Sequence, residues 1–332
     1  MRIGILGMAH LHVDAYVVNL RAADVEIVGV TDDDPLRGQR WASVNAVPWF
    51  DNAQSLLAES VDGVIICSET AGNRAHVEAA AAANVAVLCE KPLATNEDDA
   101  AAIVAACESA GVPLVTAFPM RCSPQLKQGA QFIHEGGLGQ VWAVQGQNQA
   151  ELPMRHRSWF VDPKLSGGGA IMDHVVHLAD ILRWYLGADP VEVYAATNRI
   201  LHGEVVSVET GGLVMLTYPD GTFASIDCSW SKPEAYPTWG GLKLELVAEG
   251  GVVEIDGFSQ HLEVHGGSNG PLSWPGWGSD ANQEMIDDFL QVIANGDAPA
   301  ADGQDGLAAT RVALAALESS RTGQPVRMNS EA

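Results

Sequence analysis

Met1-Arg2-Ile3-Gly4-Ile5-Leu6-Gly7-Met8-Ala9-His10-Leu11-His12 opens the chain and points to its fold class. Residues 2–6 form a short apolar run that stops at a glycine, as a strand buried on both faces does. Four further runs of this kind follow at 25–31, 62–67, 86–90 and 113–118, separated by Ala-rich segments of helical length. Strands alternating with helices in this way predict a doubly wound α/β unit, a parallel sheet with helices on both faces. The turn after the first strand of such a unit is where a dinucleotide pyrophosphate is held, through the pattern GxGxxG. Here Gly7 is kept, Ala9 replaces the second glycine and His12 the third. Ala is small enough for close backbone approach, whereas His12 is a departure, and an ordinary βα turn is the competing reading.

Asp32 adds weight to the dinucleotide reading. It ends the second strand 20 residues after His12, where an acid accepts hydrogen bonds from the ribose 2′-hydroxyl and repels a 2′-phosphate. Asp33 and Asp34 add to the repulsion, so NAD rather than NADP is expected. The run Asp32-Asp33-Asp34-Pro35 also reads as a turn that caps the next helix, and both readings can hold together. Ligands of open α/β sheets bind outside the carboxyl ends of the strands. Ser68 and Glu69 after the third strand, His76 on the next helix, and Glu90 and Lys91 after the fourth are therefore placed facing one crevice. Lys91 is one of five lysines in the chain. In isolation Glu90-Lys91-Pro92 is as easily a surface turn.

Past residue 120 the pattern changes. A helix and loop at 121–139 are followed by alternating segments at 140–148, 191–198, 208–218, 222–230 and 242–256, with turns at Pro219-Asp220-Gly221 and Glu249-Gly250-Gly251. These predict an α+β domain built on a large, mostly antiparallel open sheet. Helices are expected at 282–294 and 304–321, the latter packing back on the first domain. The division expected is 1–120 for dinucleotide binding and 121–332 for substrate binding and oligomerisation. Such a sheet has one face under helices and one that needs water or a partner. A homodimer or homotetramer through that face follows, with Trp230, Trp239, Trp274 and Trp277 either in the contact or buried structurally.

One helix stands inside this half. Gly167-Gly168-Gly169-Ala170-Ile171-Met172-Asp173-His174-Val175-Val176-His177 opens it, and it runs to about Leu186. Wound at 100° per residue, Val175, Leu178, Ile181, Leu182 and Tyr185 form an apolar stripe, while Asp173 and His177 share the other side. A carboxylate and an imidazole four residues apart can act on one small molecule. A capping Asp with a surface His is the alternative. Asp173, His174 and His177 can also be read as a metal site, but His174 turns towards the apolar stripe, so no metal is expected. His174, Arg155, Arg157 and Trp159 suit the lining of a sugar pocket.

The 332 residues are 47% hydrophobic and 18% charged, with a formal net charge of −24. That length allows two cored domains, and that charge opposes nucleic-acid and anionic-membrane partners. Cys67, Cys89, Cys107, Cys122 and Cys228 lack CxxC spacing and read as reduced structural residues. With an N-terminal strand where a leader would stand and no apolar run that spans a bilayer, a cytoplasmic protein is expected.

With these residues in place, the chain resembles the Gfo/Idh/MocA family, the glucose–fructose oxidoreductase and inositol dehydrogenase group. The likeness rests on the N-terminal turn, Asp32, His76, Glu90-Lys91-Pro92, Arg121-Cys122-Ser123-Pro124, Gly136 through Gly139, Gly167 through His177, and Ala315-Ala316-Leu317-Glu318-Ser319-Ser320. It implies an N-terminal Rossmann domain, NAD as cofactor, and hydride transfer to or from a hydroxyl-bearing carbon of a sugar or polyol. It further implies Lys91, Asp173 and His177 as the catalytic group. Gly7, Met8, Ala9, His10, Leu11, His12, Asp32, Ser68, Glu69, His76, Glu90, Lys91 and Met120 are expected against the cofactor. Lys91, Arg121, Arg157, Trp159, Asp173, His174 and His177 are expected against the substrate. Either His177 or Lys91 can be the proton acceptor. Two rivals stay open, an NAD-dependent redox-neutral hydrolase, lyase or epimerase, and a non-catalytic dinucleotide sensor.

Overall fold

A computed structural model describes residues 1–266 and 272–328. The five apolar runs become β1 (Arg2–Leu6), β2 (Glu26–Thr31), β3 (Gly63–Ile66), β4 (Ala86–Cys89) and β5 (Leu114–Thr116). They form one sheet in the order β2-β1-β3-β4-β5, parallel in every pairing. Ile3, Ile5, Ile65, Ile66, Val87 and Leu88 are fully buried, which is why the runs are apolar throughout rather than alternating. Helices α1 (Val13–Ala22), α2 (Pro35–Asn45), α3 (Ala53–Leu57), α4 (Asn73–Ala82) and α5 (Glu97–Ala110) connect the strands. Asp34 caps α2 by accepting from the amides of Leu36 and Arg37, and Asn96 caps α5 through the amide of Asp99. The expected capping role in the acidic run thus falls to Asp34, leaving Asp32 for other partners.

The second sheet has seven strands. After α6 (Pro124–His134) come β6 (Val141–Ala150), β7 (Glu192–Asn198), β8 (Gly211–Thr217), β9 (Phe223–Ser229), β10 (Gly240–Ala248) and β11 (Gly251–Asp256). A hairpin of β12 (Val264–His265) with β13 (Leu272–Ser273) stands apart, and β14 (Val326–Arg327) adds an edge strand, giving the order β11-β10-β6-β9-β8-β7-β14. Only β6 with β9 is parallel among these pairings. Burial alternates along β8, β9 and β10, with Val214, Leu216, Ala224, Ile226, Leu244 and Leu246 inward. The remaining helices are α7 (Pro163–Ser166), α8 (Val176–Leu186), α9 (Ala281–Asn295) and α10 (Gly303–Thr322).

Contacts group the chain into two compact units that are not contiguous in sequence. Met1–Pro119 is joined by Met154–Gly168 and Asn282–Arg311, while Met120–Pro153 is joined by Gly169–Ala281 and the residues from Val312 on. The first unit thus takes in 154–168 and 282–311 from beyond residue 120. The first turns of α10 lie on the first unit, where Arg311 Nε donates to Glu97 Oε1 at 2.9 Å.

Candidate active site

In the first unit the βα turn has the geometry of a dinucleotide cradle although its glycine pattern is incomplete. Gly7 has φ +88°, and a Cβ there would lie 2.5 Å from the backbone of Ser68. No other residue fits. The turn is sewn to the neighbouring strand ends by Gly7 N to Thr31 O at 2.8 Å and His10 N to Cys67 O at 2.8 Å. Met8, Ala9 and His10 are buried.

His12, where a third glycine would stand, finds a role in a buried polar network. Its Nδ1 lies 2.9 Å from Glu90 Oε1, His10 Nδ1 lies 3.3 Å from the same oxygen, and Tyr16 Oη donates to it at 2.6 Å. Burial pushes the Glu90 carboxyl up, but the two imidazoles and the hydrogen bonds from His12 and Tyr16 reverse that and hold it well below the usual carboxylate range. The neighbouring Tyr16 hydroxyl is pushed up by burial and by Glu90. Lys91, itself buried, follows directly, and its amide donates to Glu90 Oε2 at 3.2 Å. Among the described residues, His10, His12 and Glu90 are the group with metal-ligand potential, their donor atoms lying within 4.8 Å of one another. No metal was expected at this turn.

Asp32 closes the other side of the turn. Its Oδ2 accepts from Met8 N at 2.6 Å, its Oδ1 from Asp34 N at 2.7 Å, and Arg37 donates Nη2 to Oδ1 at 2.7 Å. Arg37 also donates to Glu69 Oε1 at 2.7 Å. His76 Nε2 pairs with Asp33 Oδ2 at 3.1 Å, and that bond, opposed by burial and helped by the His76 charge, lowers the Asp33 carboxyl. Ser68 Oγ donates to Asn73 Oδ1 at 2.7 Å. Every expected cofactor residue of this unit therefore lies along one sheet edge.

Residues 154–168 belong to this edge as well. Arg157 Nε and Trp159 Nε1 both donate to the carbonyl of Ala9, at 3.0 and 2.9 Å. The Trp159 ring stacks on Phe160 with centroids 4.1 Å apart, and Ala9, Trp159 and Phe160 share one apolar cluster. The two residues expected to line a sugar pocket here brace the dinucleotide turn.

In the second unit, Asp173 and His177 are half-buried between fully buried neighbours, and Val175, Leu178, Ile181, Leu182 and Tyr185 form the expected core stripe. The helix does not begin as an α-helix. Ile171–Val175 is a π-turn, and α8 continues from Val176. Wide turns of this kind recur at functional sites. Asn148 Nδ2 donates to His174 O at 3.1 Å, Trp230 Nε1 donates to Asp173 Oδ2 at 3.0 Å, and His174 Nε2 stands 3.6 Å from the same carboxylate oxygen. Trp230 is thereby a site residue as well as a fully buried one, whereas Trp277 is exposed.

Two more of the expected residues, Arg121 and Met120, lie in the second unit. Arg121 donates Nε and Nη2 to the two oxygens of buried Asp180, at 2.9 and 2.7 Å, a bidentate pair that spends its fork inside the core. That pair helps to build the fold. Met120 begins the second unit, with its terminal methyl over Gly257. Tyr16, Arg37, Asn148 and Glu209 were not singled out from the sequence, and Trp230 was named only as a contact or structural tryptophan. Tyr16 alone carried a signal, standing four residues after His12 on the same helix face.

Residues 1–118 match the family described as "Oxidoreductase family, NAD-binding Rossmann fold", and residues 126–254 match the "GFO/IDH/MocA C-terminal domain". The chain belongs to the GFO/IDH/MocA oxidoreductases. It is 27% identical to D-apiose dehydrogenase of Paraburkholderia graminis, covering 92% of this chain and 84% of that one. It is likewise 27% identical to D-xylose 1-dehydrogenase (NADP(+)) 2 of Haloferax volcanii, covering 99% and 100%. The crystal structure of GenD2 from gentamicin A biosynthesis, in complex with NAD, has the same fold with a TM-score of 0.89 at 23% identity, covering 99% of this chain and 97% of that one.

Proposed function

We propose that this protein is an NAD-dependent dehydrogenase that moves hydride between a hydroxyl-bearing carbon of a sugar or polyol and nicotinamide. The observation that carries the reading is that Lys91, Asp173 and His177 all stand in a chain similar over nearly its whole length to sugar dehydrogenases. The cradle fits the cofactor by its own geometry, with Gly7 in a conformation that only glycine adopts freely and Asp32 at the end of β2. Gly7 through His12, Asp32, Ser68, Glu69, His76, Glu90 and Lys91 are the residues that would hold it. Bound NAD⁺ supplies the hydride acceptor.

The chain's own groups handle the proton. As hydride leaves carbon, the hydroxyl proton needs an acceptor, and the imidazole of His177 serves as that general base. Asp173, held by Trp230, orients the imidazole or the substrate. Lys91 stabilises the developing alkoxide as a fixed cation.

The test is to follow reduced nicotinamide with NAD⁺ or NADP⁺ and a panel of aldoses, inositols and glycosides. Reduction of NAD⁺ faster than NADP⁺ by an aldose or polyol is expected. NADP⁺ reduced faster would overturn the role of Asp32, and glycoside cleavage without net NADH would overturn the dehydrogenase reading.

Two further properties belong to the same reading. Tyr194, Leu213, Met215, Phe223, Val247 and Val252 are exposed on β7 to β11, an apolar sheet face that supports pairing of copies as a homodimer or homotetramer. Light scattering on Phe223→Asp, which should dissociate, checks it. A cytoplasmic location is supported by Cys67, Cys89, Cys107 and Cys228, which are buried and in no disulfide. No helix among the described residues is long and apolar enough to cross a membrane.

A further inference from the structure

The amides that open a helix have no intrahelical acceptors and are normally capped by a side chain just before the first turn. Ala170 precedes the π-turn and offers no such side chain. Glu209, far along the sequence, takes that place. Its Oε1 accepts from Gly169 N at 2.7 Å and from Ile171 N at 3.1 Å, and its main-chain carbonyl accepts from Ala170 N at 3.0 Å. Three successive amides at the entrance to the helix are thus tied to one residue.

The approach is so close that residue 169 has to be glycine. A Cβ there would lie 2.0 Å from Glu209 O. Burial pushes the Glu209 carboxyl up, and the amides of Gly169 and Ile171 act against that shift, so an acid stands where its ionised form is costly unless those amides solvate it. The residue precedes β8, which starts at Gly211, so it lies outside the strand ladder. What it holds is the entrance to the π-turn, with Asp173 in that turn and His177 on α8. Asp173 N in turn donates to Gly169 O at 3.1 Å.

We infer that Glu209 is a positioning residue, which fixes where the π-turn begins and so sets the placement of Asp173 and His177. The inference rests on the roles proposed above for those two residues. Misplacement of a reacting group by about 1 Å can cost about 10²-fold in rate. Glu209→Ala should therefore lower kcat by about 10²-fold and alter its pH profile, while the KM for NAD⁺ stays as in the parent enzyme. Glu209→Gln keeps an oxygen with the same reach and should recover most of kcat. Glu209→Asp keeps the charge but is one methylene short and should not.

The experiment measures these variants beside His177→Ala, using D-xylose or myo-inositol with NAD⁺, together with amide hydrogen exchange of peptides spanning residues 169–177. Faster exchange in Glu209→Ala than in Glu209→Gln, with kcat in the same order, is the expected result. Unchanged kcat and exchange in Glu209→Ala would overturn the inference, as would Gln falling as far as Ala. Should Glu209→Ala not fold, the Gln and Asp variants decide on the same criteria. Full activity in His177→Ala would instead overturn the proposed base. If neither sugar is turned over, exchange alone decides whether Glu209 holds the turn.

Discussion

The βα turn of the first unit and the glycine-opened helix of the second reach their working shapes by opposite routes. The turn has lost two of the three glycines of its pattern, yet its backbone still follows the tight path, because side chains have taken over. Asp32 anchors Met8 N, Glu90 gathers His12 and Tyr16, and Trp159 and Arg157 hold Ala9 O. The helix keeps all three of its glycines, yet it opens as a π-turn whose first amides are tied to Glu209. A motif can thus be broken while its geometry survives, and intact while its geometry differs. In both regions tertiary hydrogen bonds override local sequence.

Substitutions on the two sides test this contrast. Removing the proposed base is the severest test, and His177→Ala should lower kcat by about 10² to 10⁴, with NAD⁺ titrations by tryptophan fluorescence unchanged. On the turn side, Tyr16→Phe removes one hydrogen bond to a buried carboxylate and should cost about 1.5–3 kcal/mol in urea unfolding. The sign with pH follows from the lowered Glu90 carboxyl. Its contribution to stability is present above the ordinary value of 4.5 and is lost as pH falls below it. Tyr16→Phe, with that carboxyl less depressed, should lose less stability than the parent between neutral and acid pH, and parallel curves would remove Tyr16 from the network. Trp230→Phe takes away only one donor to Asp173 and should lower kcat by about tenfold, some 1.4 kcal/mol, with melting temperature as the control. The smallest effect is expected from thiol reagents. Burial pushes the Cys107 thiol up to about 11 and raises those of Cys67 and Cys89 well above the usual range, so labelling in native buffer should be negligible by mass spectrometry until the protein unfolds.

What could be read from the amino acids follows from how local each signal is. The parallel sheet was legible because strands buried on both faces must be continuously apolar, and β8 to β10 were legible because one-sided burial forces alternation. The two residues of β14 are too few to show either pattern. Asp32 could be placed by its distance from the turn, but Arg37, in the first turn of a surface helix, looks like any solvated arginine until Asp32 and Glu69 are seen on either side of it. The half-buried positions of Asp173 and His177 beside a core stripe were legible, whereas the π-turn was not, since Glu209, Asn148 and Trp230 reach it from other strands and loops. The pairing of Arg121 was illegible for the same reason. Its partner, Asp180, sits on the buried side of α8, where a carboxylate is itself the sign of a hidden cation.

The carbonyl of Ala9 has a practical consequence for protein engineering. A recombinant made by joining residues 1–120 of this chain to the remainder of a relative would look like the exchange of a self-contained module. It would nevertheless arrive without the indole and guanidinium that hold its phosphate loop, because Trp159 and Arg157 are encoded beyond the junction. The transferable piece is two fragments of gene at the least, and grafts should carry 154–168 along with the front half.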